Sequence, residues 1–216
     1  MALHLVLGNK RYSSWSLRAW LILAMNDLPF TEERIRLYQD NYKQVLEDKS
    51  DGGQVPVLQD GNITIFDSLS IAEYLHENYS LNYGWPKDKA ARAHARSICA
   101  LMHSGFAHLR RECPMNIARL PSSVPISEDC QLDIQRIDTL LSKTLRTHGG
   151  PFLYGEASIA DAYYAPVIIR LDRYALLGPL HSELRAYTAR ILTLPALQPW
   201  LEAGRRETDI IAKAER

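Results

Sequence analysis

The hydrophobic pattern of this chain changes period about a third of the way along, and that change restricts the architecture more than any other feature. Up to about residue 80, apolar runs of strand length alternate with helical stripes; beyond it the strand signals stop. Residues 3 to 7 are an apolar run suited to a buried strand. A polar loop, Gly8 to Ser14, follows. Leu17, Trp20, Leu21 and Ala24 then recur at the spacing of an amphipathic helix, which Asn26, Asp27 and Pro29 end. Ile35 and Leu37 alternate with Arg34 and Arg36 as a second strand. Strand, helix and strand of these lengths predict a βαβ unit with a right-handed crossover.

A hairpin comes next. Val55 to Leu58 and Ile63 to Phe66 read as strands, with Asp60-Gly61 suited to the positive φ values of a type I′ turn. Asp67-Ser68 then opens a helix in which Ser68, Ala72, Leu75 and Tyr79 share a face, with Ile71 beside them. Residues 80–86 carry Asn, Gly and Pro and no periodicity, which predicts a linker over 81–87. Residues 87–112, 127–147, 158–174 and 182–203 each read as helices between breaks bearing Pro or Gly. An α/β unit over 1–80 followed by an all-helical unit over 88–216 argues for two domains rather than one sheet.

Charge narrows the partners. Lys plus Arg equals Asp plus Glu at 25 each, which leaves no electrostatic footprint for nucleic acid. No stretch approaches the roughly 18 apolar residues of a membrane span. Met1 to Gly8 lacks the basic flank and cleavage site of a secretory leader, and Cys99, Cys113 and Cys130 make neither a CxxC pair nor a disulfide framework. The cytoplasm is the expected compartment. His94 and His103 have no metal-ligand spacing with a nearby acid, so no metal site is expected.

Four short motifs in this order carry a resemblance. They are the serine-bearing first loop, Tyr12-Ser13-Ser14-Trp15-Ser16-Leu17-Arg18; Gln54-Val55-Pro56 before the third strand; Asp67-Ser68 at the next helix; and Ser158-Ile159-Ala160-Asp161 in the helical half. Together they resemble the glutathione transferase superfamily over nearly the whole chain. The loop is nearest that of the zeta-class, maleylacetoacetate isomerase-like enzymes, with Trp15 standing where those have Cys. The resemblance implies a thioredoxin-like βαβ–ββα domain, an all-helical second domain, glutathione as co-substrate and a homodimer.

It also implies roles. Ser13 matches the serine that holds the glutathione thiolate, with Ser14 as the near alternative, while Ser16 reads as a helix cap. A hydrogen bond to a charged group contributes about 1.5–3 kcal/mol, and one pKa unit is about 1.4 kcal/mol, so one hydroxyl could lower a thiol by about 1–2 units. The Val55–Pro56 bond is expected to be cis, with the Val55 backbone turned to the cysteinyl unit of glutathione and Gln54 beside it. Ser68, as helix N-cap, would hold the γ-glutamyl carboxylate, and Asp67 would lean toward the ammonium. Lys43 and Arg11 could meet the glycyl carboxylate. Ser158 and Asp161 are expected to form a structural capping box. Tyr12, Trp15, His108, Arg111 and Arg173 are the second-substrate candidates. For Arg173 the alternative is a surface ion pair with Asp172 or Glu183. His103 and Arg110 read as helix surface. Three functions stay open: conjugation of glutathione to a small electrophile, glutathione-dependent cis–trans isomerisation, and a non-enzymatic binding or assembly module.

Overall fold

The computed structural model describes residues 3–39 and 41–216; Met1 and Ala2, with which the leader reading begins, and Asp40 lie outside the described residues. Four strands, β1 (Leu3–Leu7), β2 (Phe30–Arg34), β3 (Val57–Asp60) and β4 (Ile63–Phe66), form one sheet in the order β2-β1-β3-β4. β1 pairs with β2 in parallel and with β3 antiparallel, and β3 pairs with β4 antiparallel. Helices α1 (Ser14–Met25), α2 (Tyr42–Glu47) and α3 (Ser68–Asn78) complete this half as β1-α1-β2-α2-β3-β4-α3. The helical half holds α4 (Lys89–Ser104), α5 (Ala107–Glu112), α6 (Glu128–His148), α7 (Ile159–Arg173), α8 (Ser182–Leu192) and α9 (Gln198–Arg206).

Strand alternation divides the core. Leu3, Leu5, Leu7 and Leu58 point to one face, where α1 and α3 cover them and join the main core. Val6 and Val57 point to the other and pack with Ile35 and Leu46 of the α2 side. Every residue of α7 from Ile159 to Leu171 is buried, as expected of a helix enclosed on all sides. α7 packs on α1, α4 and α8, and this ties the two halves into one core.

Several boundaries move. β2 is Phe30–Arg34 rather than 34–37, because parallel pairing fixes Leu3 opposite Phe30; Ile35 is apolar to fill the far-face cluster, and its amide reaches the Leu7 carbonyl at 2.8 Å. β3 begins at Val57, after the proline. Asp60 pairs with Ile63, so the turn residues are Gly61-Asn62, and of these Gly61 takes the positive φ, 58°. The expected helix over 87–112 divides at Gly105-Phe106, where Phe106 is left-handed at φ 54°. That over 182–203 divides before Pro195, which cannot continue a helix. No described helix is long and apolar enough to cross a membrane.

Candidate functional site

The loop between β1 and α1 is organised by its serines. Ser13 is the N-cap of α1: its Oγ accepts from the Ser16 amide at 3.3 Å and donates to Ser16 Oγ at 2.8 Å. The cap therefore falls on Ser13 and not on Ser16, because the helix starts three residues earlier than the apolar stripe suggests. Ser16 Oγ instead accepts from the Gly8 amide at 3.0 Å. Ser14 opens the helix, and its Oγ accepts from Arg170 Nη2 of α7 at 3.1 Å.

Ser13 and Ser14 line a cavity of about 820 Å³ together with Tyr12, Trp15, Gln54 and Val55. A second cavity, of about 460 Å³, shares Trp15, Gln54, Val55 and Arg110 with the first and adds Pro56, Phe66, Asp67, Ser68 and His103. The two adjoin at these four shared residues and make up a cleft between the sheet domain and α4, α5 and α7. The Val55–Pro56 bond is cis. Ser13, Ser14, Gln54, Val55, Pro56, Asp67 and Ser68 thus all lie on this cleft.

The start of α3 differs in detail. Asp67, at φ 73°, is the N-cap, and its Oδ1 accepts from the Leu69 amide at 2.7 Å and the Ser70 amide at 3.4 Å. Ser68 is inside the helix, and its hydroxyl meets Tyr163 OH at 3.0 Å. Asp67 Oδ2 is 3.2 Å from His103 Nε2, and His103 Nδ1 is 2.8 Å from Tyr163 OH. His103, read as surface, therefore joins Asp67 and Ser68 to the helical domain. Nothing local could signal it, since the partners are 36 residues apart or more.

Cations dominate the larger cavity. Lys43, Arg110, Arg111, Arg170 and Lys213 line it against one described carboxylate, Glu47. Arg170 is fully enclosed; burial, then the Arg18 and Arg110 charges, push it down to about 9. Its Nε and Nη1 donate to the Cys113 and Pro166 carbonyls at 3.0 and 3.1 Å. Arg18, held below its ordinary value by burial, lies between the Trp15 and Tyr163 rings at 4.3 and 4.2 Å. Its Nε and Nη1 have no hydrogen-bond partner among the described residues. The signal for Arg170 was present in sequence: an arginine in the apolar run Val167-Ile168-Ile169-Arg170-Leu171.

Of the second-substrate candidates, Tyr12, Trp15 and Arg111 line the cavity. His108 does not; its Nδ1 meets Arg111 Nη2 at 2.8 Å, and Asp129 lies 3.7 Å away. Arg173 does not either. It sits 3.6 Å from Asp172, the ion-pair alternative, and Arg170, one turn earlier, occupies the cleft. Lys43 lines the cleft, while Arg11 is engaged by Asn116 at 3.1 Å and Glu215 at 3.2 Å.

The segment 207–216 is part of the site although no sequence motif marks it. Glu207 accepts from the Lys10 and Arg11 amides at 2.8 and 3.0 Å and from Arg34 at 2.9 Å. Ile211 and Ala214 pack on Tyr12, and Ile211, Lys213 and Ala214 wall the cavity. Tyr12 OH donates to Glu215, and burial, reinforced by that contact, raises it to about 12. The Tyr12 hydroxyl is therefore occupied. Ser158 and Asp161 stand away from the cleft: the Asp161 carboxylate accepts from the Ser158 amide and hydroxyl, both at 2.8 Å.

Residues 12–78 match the family model described as "Glutathione S-transferase, N-terminal domain", and residues 92–203 match "Glutathione S-transferase, C-terminal domain". The chain is 28% identical over 198 residues to the maleylacetoacetate isomerase of Rattus norvegicus, covering 87% of this chain and 90% of that one. It is 30% identical over 164 residues to "Glutathione S-transferase 1" of Dianthus caryophyllus, covering 71% and 74%. A glutathione transferase homolog from Burkholderia, solved with bound glutathione, shares the fold at a TM-score of 0.74 and 24% identity, over 96% of this chain and 100% of that one. The two matched domains span the cleft from both sides, and the chain belongs to the glutathione S-transferase family.

Proposed function

We propose that this protein is a glutathione transferase that binds glutathione along the cleft, holds its sulfur as a thiolate at the β1–α1 loop, and adds it to a small electrophile in the larger cavity. The observation that carries the reading is the convergence of the Ser13-Ser14 loop, Val55-Pro56 and Asp67-Ser68 on one cleft. The N-terminal end of α1 and the buried Arg170 and Arg18 favour a negative sulfur there. Gln54 and Val55 flank the peptide backbone, and Asp67, backed by His103, faces the γ-glutamyl ammonium. Lys43 is in reach of the glycyl end. No redox or metal centre enters this chemistry; thiol activation and positioning supply it. Family membership supports a homodimer in the cytosol, and sedimentation velocity at micromolar protein tests the first of these.

Calorimetry with glutathione tests the reading. Wild type should bind at millimolar ligand or below, and Asp67→Asn should raise KM for glutathione about 10- to 100-fold, the size of one charge-assisted hydrogen bond, with kcat little changed. Absence of binding by wild type at millimolar ligand would favour the assembly-module alternative.

One observation supports a second reading, glutathione-dependent isomerisation. The cavity's excess of cations suits a substrate bearing carboxylates, and relatives are named maleylacetoacetate isomerases. In that reaction the thiolate adds to a conjugated double bond, rotation follows, and the sulfur leaves. Turnover of maleylacetoacetate without net consumption of glutathione identifies it.

A further inference from the structure

We propose that Ser14, not Ser13, donates the hydroxyl hydrogen bond to the bound thiolate, and that Arg170 is a positioning residue that acts through Ser14. The assignment rests on the glutathione reading above and concerns which atoms carry it.

A serine hydroxyl has one proton and two acceptor lone pairs. Ser13 uses its proton on Ser16 Oγ at 2.8 Å and accepts the Ser16 amide. Ser16 Oγ is in turn occupied by the Gly8 amide. The Ser13 hydroxyl is thus built into the cap that starts α1. Turning its proton to a ligand would give up the 2.8 Å hydrogen bond to Ser16 Oγ.

Ser14 is in the opposite position. A guanidinium only donates, so the contact from Arg170 Nη2 at 3.1 Å occupies an oxygen lone pair and leaves the Ser14 proton free. Among the described residues no acceptor takes that proton, and Ser14 lines the larger cavity. Arg170 cannot swing away, because the Cys113 and Pro166 carbonyls hold its other two donor positions. No described carboxylate pairs with it. Its charge also withdraws electron density from Ser14 Oγ, which strengthens the remaining O–H as a donor.

The groups around this corner are mostly positive. Arg170 is faced by Arg18, Arg110, Tyr174 and the Cys113 thiol. Arg111 on α5, Tyr12 on the loop, Lys213, and Lys43 and Glu47 on α2 look into the same cavity. In the binding step the glutathione S–H proton passes to solvent, the sulfur keeps the electron pair, and the Ser14 O–H bond stays intact while donating to it.

The test is the ionisation of bound glutathione, followed by thiolate ultraviolet absorbance against pH in wild type, Ser13→Ala, Ser14→Ala, Arg170→Met, Arg170→Gln and the Ser14→Ala/Arg170→Met pair. Ser14→Ala should raise the bound thiol's midpoint by about 1–2 pH units, the value of one hydrogen bond to a charge, and Ser13→Ala by less than half of that. Arg170→Met should raise it by about 1 unit when Ser14 is present and by little more once Ser14 is gone, as residues acting in series do. Arg170→Gln keeps a donor for Ser14 and should stay nearer wild type, which also covers the case that the Met variant fails to fold. A larger effect of Ser13→Ala than of Ser14→Ala, or an Arg170→Met effect equal in both backgrounds, overturns the assignment while normal glutathione affinity leaves the functional reading standing. Wild type that binds no glutathione overturns both.

Discussion

Replacing Asp161 by alanine should destabilise the protein by about 2–6 kcal/mol, a large part of the roughly 5–15 kcal/mol that holds a typical domain folded. The Asp161 carboxylate has no solvent exposure and accepts four hydrogen bonds. They come from the Ser158 amide and hydroxyl at 2.8 Å, the Leu153 amide at 3.1 Å and Tyr187 OH at 2.9 Å. Among the described residues the two amides have no other hydrogen-bond acceptor, and each buried orphan donor costs about 1–3 kcal/mol. The damage falls on the start of α7, the helix that carries Arg170. Urea denaturation followed by tryptophan fluorescence measures the loss.

The same residue sets a pH dependence with a definite sign. Burial outweighs the four donors and raises the carboxyl from 3.8 to about 6. A raised acid favours the folded state when protonated. Its contribution is complete below about pH 4 and is lost as pH rises through about 6, an amount of up to about 3 kcal/mol. Asparagine at this position does not titrate. The stability of wild type relative to Asp161→Asn should therefore fall between pH 4 and 6.5, and a flat difference would show that the carboxyl keeps its ordinary ionisation.

Glu207→Ala is the second large effect. This carboxylate is 6% exposed and accepts both the Lys10 and Arg11 amides besides Arg34. Its loss strands two amides of the loop that carries Tyr12, Ser13 and Ser14, at a cost of about 2–4 kcal/mol; the Arg34 pair, about a third exposed, adds little. Because Ile211 and Ala214 follow in the same segment and pack on Tyr12, the cavity wall should loosen with the loop. Limited trypsinolysis after Lys10 and Arg11 should accelerate about tenfold or more, and KM for the electrophile should rise. Glu207→Gln, which keeps one acceptor, should fall between. Unchanged cleavage in Glu207→Ala would mean that the segment does not latch the loop.

Most of the fold was legible because period and punctuation are local. The switch from strand alternation to helical stripes, Asp-Gly at the hairpin and Ser-x-x-Asp before α7 all act within a few residues of themselves. The errors share a cause. Ile35 and Leu37 alternate like a strand, yet parallel pairing with β1 ended β2 at Arg34 and left their apolar character to packing. Asp67 and Ser68 are equally good caps on paper; the helix starts at Ser68, and the Asp67 carboxylate takes the Leu69 and Ser70 amides while the Ser68 hydroxyl turns to Tyr163. In the site, residues next to each other in sequence were found and residues joined through space were not. Arg173 lies three residues beyond Arg170, and a helix rises about 1.5 Å per residue, so it sits about one turn past the cleft that Arg170 reaches. His103 and the segment 207–216 meet their partners across the domains, and one-dimensional pattern carries no trace of such contacts.

The most direct test of the account is the ionisation of glutathione on the wild-type protein. Ultraviolet titration of the complex should give a sulfur midpoint about 1–2 pH units below the roughly 8.5 of an ordinary free thiol. A complex that forms but whose sulfur ionises at the free value would contradict the claim that this cleft exists to hold a thiolate.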